Sequence, residues 1–343
     1  MALGMTLEGA EDKTFRQMRD MLGFQEEERD EVSAAYRGLL DLLYDLDPTV
    51  TFRIGNSVWH RDEFVSEEEF RQAVEDHFDA VVEGLDFSSD EAARIINDWV
   101  REQTEGRIEE IVEAPIHPLT VMFLINAIYF NGSWTHEFDP DRTEPEAFTL
   151  RDGTTVQVPM MKQVEQPTLV SWTPDHMALE LPYGGQAYAM TIVVPNDPAG
   201  LHDFVASLDE ERWAHILEDL QEQDAVVEMP RFRLEYDKTL GHAEDPDHRA
   251  LQSLGMEDAF DPGLADFSRM LQGGGLFVHQ VKQRTWIDVH EEGTEAAAVT
   301  KVEIRRVSGP AVLRVDRPFL FALRERLSGT ILFLGMVEDP LEE

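Results

Sequence analysis

The sequence predicts an α+β fold of 343 residues, in which helices come first and strands follow. Two observations support this prediction. Before Pro118, apolar side chains recur at helical spacing, as in the series that contains Val32, Leu39 and Leu43. After Pro118, short apolar runs separated by turn residues are typical of strands. Neither an internal repeat nor a linker interrupts the chain, so we expect one domain over residues 1–343.

Three amphipathic helices and one short strand are expected in the first part of the chain. The apolar residues that mark the helices extend from Val32 to Leu43, from Phe70 to Val81 and from Ile95 to Val100. Ser89 or Asp90 can cap the third helix, because a short polar side chain before a helix accepts a hydrogen bond from the first turn. Phe52, Ile54 and Val58 indicate a strand between the first two helices.

Strands are expected to dominate the rest of the chain. The apolar run from Leu119 to Phe130, bounded by Pro118 and by Asn131-Gly132, predicts a central strand buried on both faces. One helix is expected between Gly200 and Leu220. The other expected strands are Ala178–Leu181, Ala189–Val194, Ala225–Met229, Leu276–His290, Leu320–Arg324 and Thr330–Met336.

The charge balance argues against two classes of partner. The chain has 29 basic and 69 acidic residues, which gives a formal net charge of −40. Nucleic acids and anionic membranes attract clustered Lys and Arg, so we expect neither as a partner. One interpretation of this composition is a salt-adapted, highly solvated acidic surface, and the other is a surface that selects a basic partner.

Composition and motifs also limit the chemistry. Without cysteine, the sequence contains no disulfide, no Cys-ligated zinc and no Cys nucleophile. It has neither a His-Glu-x-x-His metal motif nor a Gly-x-Ser-x-Gly nucleophile elbow, which disfavours a hydrolase. We therefore expect no metal, no cofactor and no catalytic residue. The apolar runs are too short to span a bilayer, and we expect no export signal in the chain as written.

An alternating pattern marks the segment from Thr294 to Arg306. The residues on one face are small or apolar, namely Thr294, Ala296, Ala298, Thr300, Val302 and Ile304. This period of two is typical of a strand with one buried face. The segment nevertheless follows a complete predicted strand and precedes the turn residues Ser308-Gly309-Pro310. We therefore expect two states, one in which the segment is an exposed loop and one in which it joins a sheet.

Eight segments, distributed over almost the whole chain, form a specific set when they are taken together and in order. They are Ile95–Thr104, Asn126–Trp134, Leu179–Tyr183, Pro230–Phe232, Leu254–Phe260, Glu291–Ala298, Arg317–Phe321 and Leu334–Val337. This set resembles the serpin family. The resemblance implies helices around a large, mixed, mainly antiparallel sheet, with smaller sheets and an exposed reactive loop at residues 291–317.

The resemblance also implies an inhibitor that a serine protease cleaves as a suicide substrate, after which the loop inserts into the main sheet. It places the scissile bond between Val307 and Ser308, for an elastase-like or subtilisin-like target. Cleavage one residue earlier makes Arg306 the bait and the target trypsin-like. A non-inhibitory serpin that acts as a binding or chaperone-like module is the alternative. The implied loop hinge consists of Glu291, Glu292, Gly293, Thr294, Glu295, Ala296, Ala297 and Ala298.

By the same resemblance, Asn126, Trp134 and Gln283 control the opening of the sheet. Gln283 occupies a position where the family usually has a His that faces Asn126. A Gln–Asn hydrogen bond can replace that contact, with loss of its pH sensitivity. The chain begins near the end of the family's second helix, so the first helix is missing, either through a misplaced start codon or through a true truncation.

The expected surroundings also follow from the resemblance. The helix around Val32–Leu43 corresponds to the one at which some serpins bind sulfated polysaccharide. Acidic residues outnumber basic ones there, so we expect no heparin-like cofactor. The resemblance implies an extracellular monomer, and a cytoplasmic location is the alternative because the chain as written shows no export signal.

Overall fold

The computed structural model describes residues 1–24, 26–44, 46–271, 275–294 and 311–342. Its α-helices are α1 (Ala2–Glu8), α2 (Asp12–Met21), α3 (Arg29–Leu43), α4 (Glu68–Phe78), α5 (Asp90–Gln103), α6 (Leu201–Ala206), α7 (Glu210–Glu218) and α8 (Ala250–Ser253). Its strands are β1 (Val50–Arg61), β2 (Val81–Leu85), β3 (Met122–Ser133), β4 (Glu144–Thr149), β5 (Thr155–Lys162), β6 (Gln166–Trp172), β7 (His176–Tyr183), β8 (Tyr188–Pro195), β9 (Gln221–Pro230), β10 (Phe232–His242), β11 (Gln280–Val289), β12 (Gly293–Thr294), β13 (Ala311–Arg314), β14 (Phe319–Glu325) and β15 (Ile331–Val337).

Hydrogen bonds arrange the described strands in three sheets. The largest has nine strands, in the order β15-β14-β8-β7-β6-β9-β5-β4, with β13 paired to β9 off this path. A second sheet has the order β12-β3-β1-β2, and a third consists of β10 and β11. The pair β13–β9 and the pair β1–β2 are parallel, whereas the neighbours along the nine-stranded path are antiparallel. The predicted α+β fold with mixed, mainly antiparallel sheets is confirmed.

The backbone forms two compact units, each discontinuous in sequence. The first consists of Met1–Tyr44, Phe52–Tyr129 and Glu235–Trp286. The second consists of Asp45–Thr51, Phe130–Leu234 and Ile287–Glu343. The expectation of a single domain stays a prediction, because discontinuous units of this kind can belong to one domain.

In the first unit, α5 shows how the sequence determines a helix and its buried face. Ser89 precedes the helix in an extended conformation, and its side chain accepts a hydrogen bond from the backbone N–H of Glu91 at 3.2 Å. Ile96 and Val100, four residues apart, lie on the same face and pack in a cluster with Trp59. Of the two predicted caps, Ser89 is therefore the one used.

In the second unit, the nine-stranded sheet forms the core. Every residue of β8 and β14 is buried. One face of the sheet packs under α6 and α7 through Ala178, Val193, Leu201, Phe204, Ile216 and Leu320. Full burial of such a side chain contributes about 1.5–3 kcal/mol, so this layer is a major source of stability.

Four elements differ from the predictions. The strand predicted from Leu276 begins only at Gln280. The run that predicts a strand buried on both faces forms β3, but β3 alternates between buried and half-buried residues, and β8 and β14 are the fully buried strands. The helix predicted to reach Val81 ends at Phe78, because Asp79 adopts the left-handed conformation and Val81 starts β2. The helix predicted between residues 200 and 220 is divided into α6 and α7, and Asp209 caps the latter.

Candidate functional site

The predicted hinge begins with a tight turn between β11 and β12. The backbone N–H of His290 donates to the carbonyl of Gly293 at 3.0 Å, and the N–H of Gly293 donates to the carbonyl of His290 at 3.2 Å. Gly293 has a φ of +147°. A Cβ at this position would lie 2.2 Å from the carbonyl oxygen of Gly132 and 2.6 Å from the Cα of Ser133. Conformation and space therefore both require glycine at residue 293.

After the turn, β12 lies along the edge of β3. Gly293 faces Ser133 and Thr294 faces Gly132 in an antiparallel register. Thr294 is buried, and its hydroxyl lies 2.9 Å from that of Tyr183. Burial raises the pKa of Tyr183, so the phenol stays protonated and available for this hydrogen bond. The two residues of β12 thus form a short strand beside β3.

Trp134 holds the turn from one side. Its ring stacks on Tyr183, with the centroids 4.3 Å apart and the planes at 18°. Its indole N–H donates to the carbonyl of His290 at 2.9 Å, and its backbone N–H donates to the carbonyl of Glu292 at 3.0 Å. These contacts fix the turn against the end of β3.

Glu291 anchors the turn from the other side. The guanidinium of Arg231 donates to both carboxylate oxygens, at 2.7 and 2.6 Å, and the hydroxyl of Thr143 donates to one of them at 2.6 Å. The backbone N–H of Phe138 donates to the carbonyl of Glu291 at 2.9 Å. Burial alone would raise the pKa of Glu291, but the hydrogen bonds and the charge of Arg231 outweigh it and lower that pKa. Glu291 is therefore a buried, ionised anchor.

A charged depression of about 350 Å³ lies next to this anchor. It is lined by Pro140, Arg231, Arg233, Asp288, His290, Glu291 and Glu292. Arg233 pairs with Asp288 at 2.8 Å, as Arg231 pairs with Glu291. Two of the three acidic side chains in the lining, Asp288 and Glu291, are therefore paired with arginines.

The structure brings together five of the predicted site residues, namely Glu291, Glu292, Gly293, Thr294 and Trp134. The remaining predicted hinge and bait residues lie outside the described residues; they are Glu295, Ala296, Ala297, Ala298, Arg306, Val307 and Ser308. Beyond them, β13 pairs with β9 and brings the chain back to the largest sheet.

The two other predicted control residues lie in the first unit and have separate partners. The side-chain amide of Asn126 donates to Asn56 at 2.9 Å, and that of Asn56 donates to the carbonyl of Phe78 at 2.7 Å. Gln283 is exposed, and its amide lies 3.5 Å from the hydroxyl of Thr285. The hydrogen bond that the sequence suggested between Asn126 and Gln283 is not formed among the described residues. The role of the two residues in sheet opening stays a prediction.

Sequence reasoning missed three residues of this site, Thr143, Tyr183 and Arg231. Arg231 and Tyr183 lie in segments that carry the family resemblance, but neither segment shows which residue it meets. Arg231 is 60 residues from Glu291, and Thr143 is 148 residues from it. Contacts at such separations leave no periodic signal in one sequence.

Two further searches concern metals and membranes. In the described ranges, no group of three or more His, Asp or Glu side chains is arranged to hold a metal ion. Within those same ranges, none of the helices combines the length and the apolar character that crossing a membrane requires.

Comparison with known proteins finds related sequences along the whole chain. A family model described as Serpin (serine protease inhibitor) matches residues 1–340. An uncharacterized serpin-like protein of Thermococcus kodakarensis is 34% identical over 352 residues, which cover 99% of this chain and 78% of the relative. Neuroserpin of Gallus gallus is 33% identical over 356 residues, which cover 99% of this chain and 84% of the relative.

Solved structures show the same architecture. The thermophilic serpin tengpin, crystallised in the native state, matches with a TM-score of 0.87 and 27% identity, over 98% of this chain and 86% of that one. Human thyroxine-binding globulin complexed with thyroxine matches with a TM-score of 0.88 and 27% identity, over 99% of this chain and 90% of that one. Similarity at this level extends to the fold as a whole.

Proposed function

Because the chain belongs to the serpin family and has the serpin fold, we propose that it inhibits a serine protease by presenting residues 291–317 as a suicide substrate. Members of the family are protease inhibitors, and the protein is not an enzyme. The bait that we propose is the bond between Val307 and Ser308, with Arg306 as the alternative residue before the cut. The observation that carries the proposal is the geometry of β12.

β12 supports the proposal because it is the first step of a strand that can continue. Gly293 and Thr294 pair with the last two residues of β3, which is 12 residues long. In the antiparallel register, each later residue of the loop would face the preceding residue of β3, so that Ile304 would face Met122. The sequence from residue 295 to residue 304 is therefore long enough to pair with the rest of β3.

The same register agrees with the alternating pattern of the loop. Thr294 points towards the interior, where it meets Tyr183. Ala296, Ala298, Thr300, Val302 and Ile304 would share that face, since successive side chains of a strand alternate. They would lie beside even-numbered residues of β3, of which Met122 and Leu124 pack against a buried cluster that contains Phe70 and Phe78. Small and apolar residues are the ones that this face can bury at low cost.

The proposed reaction uses the chemistry of the target. The protease's serine oxygen attacks the carbonyl carbon of Val307, the bond to the nitrogen of Ser308 breaks, and the released amine takes its proton from the protease's histidine. The acyl ester then remains attached to Val307. Residues 294 to 307 span about 45 Å when extended, at about 3.3 Å per residue, so insertion would carry the attached protease a long way. A displacement of about 1 Å within its catalytic groups can already cost about 100-fold in deacylation rate.

The bait residue sets the proposed target class. Val307 suits a small apolar specificity pocket, as in elastase-like or subtilisin-like proteases, and Arg306 suits a trypsin-like pocket with a buried carboxylate. A difference of one methylene group in an apolar pocket discriminates by only about 10–200-fold. The inhibitor is therefore expected to trap more than one protease of the first class.

The experiment that tests this function is incubation with elastase, subtilisin and trypsin, followed by denaturing electrophoresis and mass spectrometry. A covalent complex that resists denaturation, with the acyl bond on Val307 or Arg306, is the expected product. Cleavage of the loop by all three proteases with full recovery of their activity would overturn the proposal.

A binding module is the second candidate, favoured by the similarity to thyroxine-binding globulin with its bound thyroxine. In that case the cleaved loop would stay outside the sheet. The melting temperature before and after loop cleavage separates the two candidates. Insertion would add a strand and raise the melting temperature, whereas a loop that stays outside would leave it nearly unchanged.

A further inference from the structure

A segment between α5 and β3 lies across one face of β11. We call residues 107–117 the cover segment. Three contacts join it to β11. The guanidinium of Arg107 lies 4.5 Å from the centre of the Trp286 ring. Further along, Arg284 donates to the carbonyl of Glu110, and Lys282 pairs with Glu113 at 3.1 Å. The β11 residues are spaced by two and thus share one face. Because their numbers fall as those of the cover segment rise, the two segments run antiparallel.

Three histidines lie at the end of this contact. The rings of His117 and His279 are parallel within 3°, with their centroids 6.5 Å apart. The ring of His242 meets that of His279 edge-on at 4.7 Å. His117 ends the cover segment, His279 precedes β11 and His242 ends β10, so the cluster joins all three elements. The backbone N–H of Ala243 donates to the carbonyl of His279 at 2.8 Å and fixes two of them together.

Two of these imidazoles form hydrogen bonds that only the neutral form can make. The Nδ1 of His117 accepts from the backbone N–H of Leu119 at 3.2 Å. The Nδ1 of His242 accepts from the backbone N–H groups of Glu244 and Asp245, at 3.1 and 3.0 Å. In both rings the ring proton is therefore on Nε2, and Nδ1 is the acceptor.

Few charges near the cluster can compensate for a proton added to His279. Glu244 faces His279, but Asp245 is already paired with His248 at 2.8 Å. On the other side, the guanidinium of Arg61 donates to the carbonyl of His117 at 3.3 Å and adds a positive charge, partly balanced by Glu63 at 4.0 Å.

The pKa of His279 agrees with this geometry. His279 is exposed on one side, and the partial burial of its ring lowers its pKa; the neighbouring His242 and His117 lower it further, and Glu244 opposes them. A lowered pKa means that the closed arrangement binds fewer protons than an open one. The closed arrangement is thus fully favoured above the ordinary histidine pKa of about 6.5 and loses stability as the pH falls below that value.

We propose that the cover segment is a pH-sensitive clasp on β11, which protonation of His279, in its cluster with His117 and His242, releases. A charged His279 would no longer be favoured beside the rings of His117 and His242, and the cluster would open. The contacts of Arg107, Arg284 and Lys282 are then the remaining attachments to β11. That of Lys282 is an exposed ion pair, which contributes little.

The consequence for the loop rests on the proposed function. The turn that follows β11 leads directly into β12. If β12 extended along β3 beyond Thr294, β11 would have to shift to accommodate the longer strand. Release of the clasp at low pH would make this step faster. The inhibitor would then be more prone to insert its loop in mildly acidic surroundings.

The clasp itself is tested by hydrogen exchange with mass spectrometry on the full chain at pH 7.5 and pH 5.5, corrected for the intrinsic exchange rate. Protection of the peptide that covers residues 104–121 should fall several-fold in the wild type, because the closed arrangement binds fewer protons than the open one. In H279Q most of this fall should disappear. The matched control is H202Q, whose histidine pairs with Glu338 elsewhere, and it should keep the full effect.

Equal protection at both pH values in the wild type, or an undiminished fall in H279Q, would overturn the clasp. If H279Q does not fold, H117Q serves in its place, since it removes the same stacked pair. Protease inhibition is not needed for this readout, so the clasp and the inhibitory function fail separately. The rate of spontaneous loop insertion, measured by native electrophoresis at the same two pH values, tests the link between them. A pH-sensitive clasp with a pH-independent insertion rate would contradict that link.

Discussion

Among the described hinge residues, Gly293 is the one that tolerates substitution least. Its φ of +147° and the 2.2 Å approach of a Cβ to the carbonyl of Gly132 act together. Backbone strain from an L-residue costs about 1–3 kcal/mol, and the clash adds to it. The clashing atom is the backbone carbonyl oxygen of Gly132, so no side-chain rotation can relieve the clash. The backbone of residue 293 must therefore move. β12 would then leave β3.

Replacing Gly293 by alanine is expected to reduce the free energy of unfolding by about 2–4 kcal/mol, as strain and clash add. The matched control is G329A, at a glycine with a φ of +78° and no atom within 4 Å of a Cβ, which tests strain alone. Urea titration of the three proteins measures both effects. Equal losses in G293A and G329A would contradict the close packing of Gly293 on β3.

Glu291 makes stability depend on pH in a defined direction. Its pKa is lowered in the folded state, so its contribution is present above the ordinary Glu value and is lost as the pH falls through the lowered one. We expect E291Q to lower the unfolding free energy at pH 7 by about 1–3 kcal/mol, since charge-assisted hydrogen bonds are lost. The difference from wild type should shrink as the pH approaches 3. Urea titrations at pH 7 and pH 3 measure this, with E109Q at an exposed glutamate as control. A constant difference at both pH values would refute the assignment.

At the scale of elements, the loop that follows β12 allows the most specific prediction. In a strand that continued the register of β12, Ala296 would lie on the interior face and Ala297 on the opposite face. A glutamate on the interior face would bury an unpaired charge, which costs several kcal/mol.

We therefore expect A296E to turn the inhibitor into a substrate, and A297E to remain an inhibitor. The stoichiometry of inhibition, in moles of inhibitor consumed per mole of protease trapped, measures the effect. It should rise at least about tenfold in A296E, since a barrier of about 1.4 kcal/mol already slows insertion tenfold. Equal values for the two variants would rule out this register.

Asn97 connects α5 to the cover segment. Its side-chain amide donates to the carbonyl of Val112 at 2.8 Å, and its side-chain oxygen accepts from the N–H groups of Ile111 and Val112 at 2.9 and 3.0 Å. N97A should lower the unfolding free energy by about 2–3 kcal/mol, at about 1 kcal/mol for each hydrogen bond. N97D keeps the acceptor and should lose less. Thermal unfolding compares them, and equal losses would show that the acceptor contributes nothing.

Elements were predictable where the pattern is local. The apolar spacing of α3 and α5 and the alternation of the loop are properties of neighbouring residues, and the predicted helices and most strands follow them. β3 shows the limit, because a continuous apolar run does not say how much of each face other elements cover. The end of α4 depends on one residue, Asp79, whose left-handed conformation has no signal in the apolar pattern.

The site was predictable in part for the same reason. Gly293 and Thr294 carry a local signal, whereas Arg231 and Thr143 meet Glu291 only through the fold. The pairing of Asn126 with Asn56 also depends on the fold, since β1 and β3 become neighbours only in the folded sheet.

At the scale of the whole molecule, the net charge of −40 is the dominant property. Like charges within a folded chain repel one another, and salt screens this repulsion over about 10 Å at 0.1 M and about 3 Å at 1 M. Exposed ion pairs lose strength with salt as well, but each contributes little.

We therefore expect the melting temperature to rise by several degrees between about 0.05 and 1 M NaCl, because screening of the excess negative charge outweighs the weakened ion pairs. Differential scanning calorimetry at both salt concentrations measures the change. A sucrose series at low salt is the control, since sucrose stabilises folded proteins without screening charge. A melting temperature that falls with NaCl would show that the ion pairs dominate.

The two paired residues of β12 also set the phase of any strand that continues from them. A slip of one residue would exchange the two faces and bring Glu295, Lys301 and Glu303 to the interior. The close approach of Gly293 to Gly132 and the hydrogen bond of Thr294 to Tyr183 exclude that slip. Under the proposed function, the register of an inserted strand would thus be set at the hinge, before the loop meets a protease.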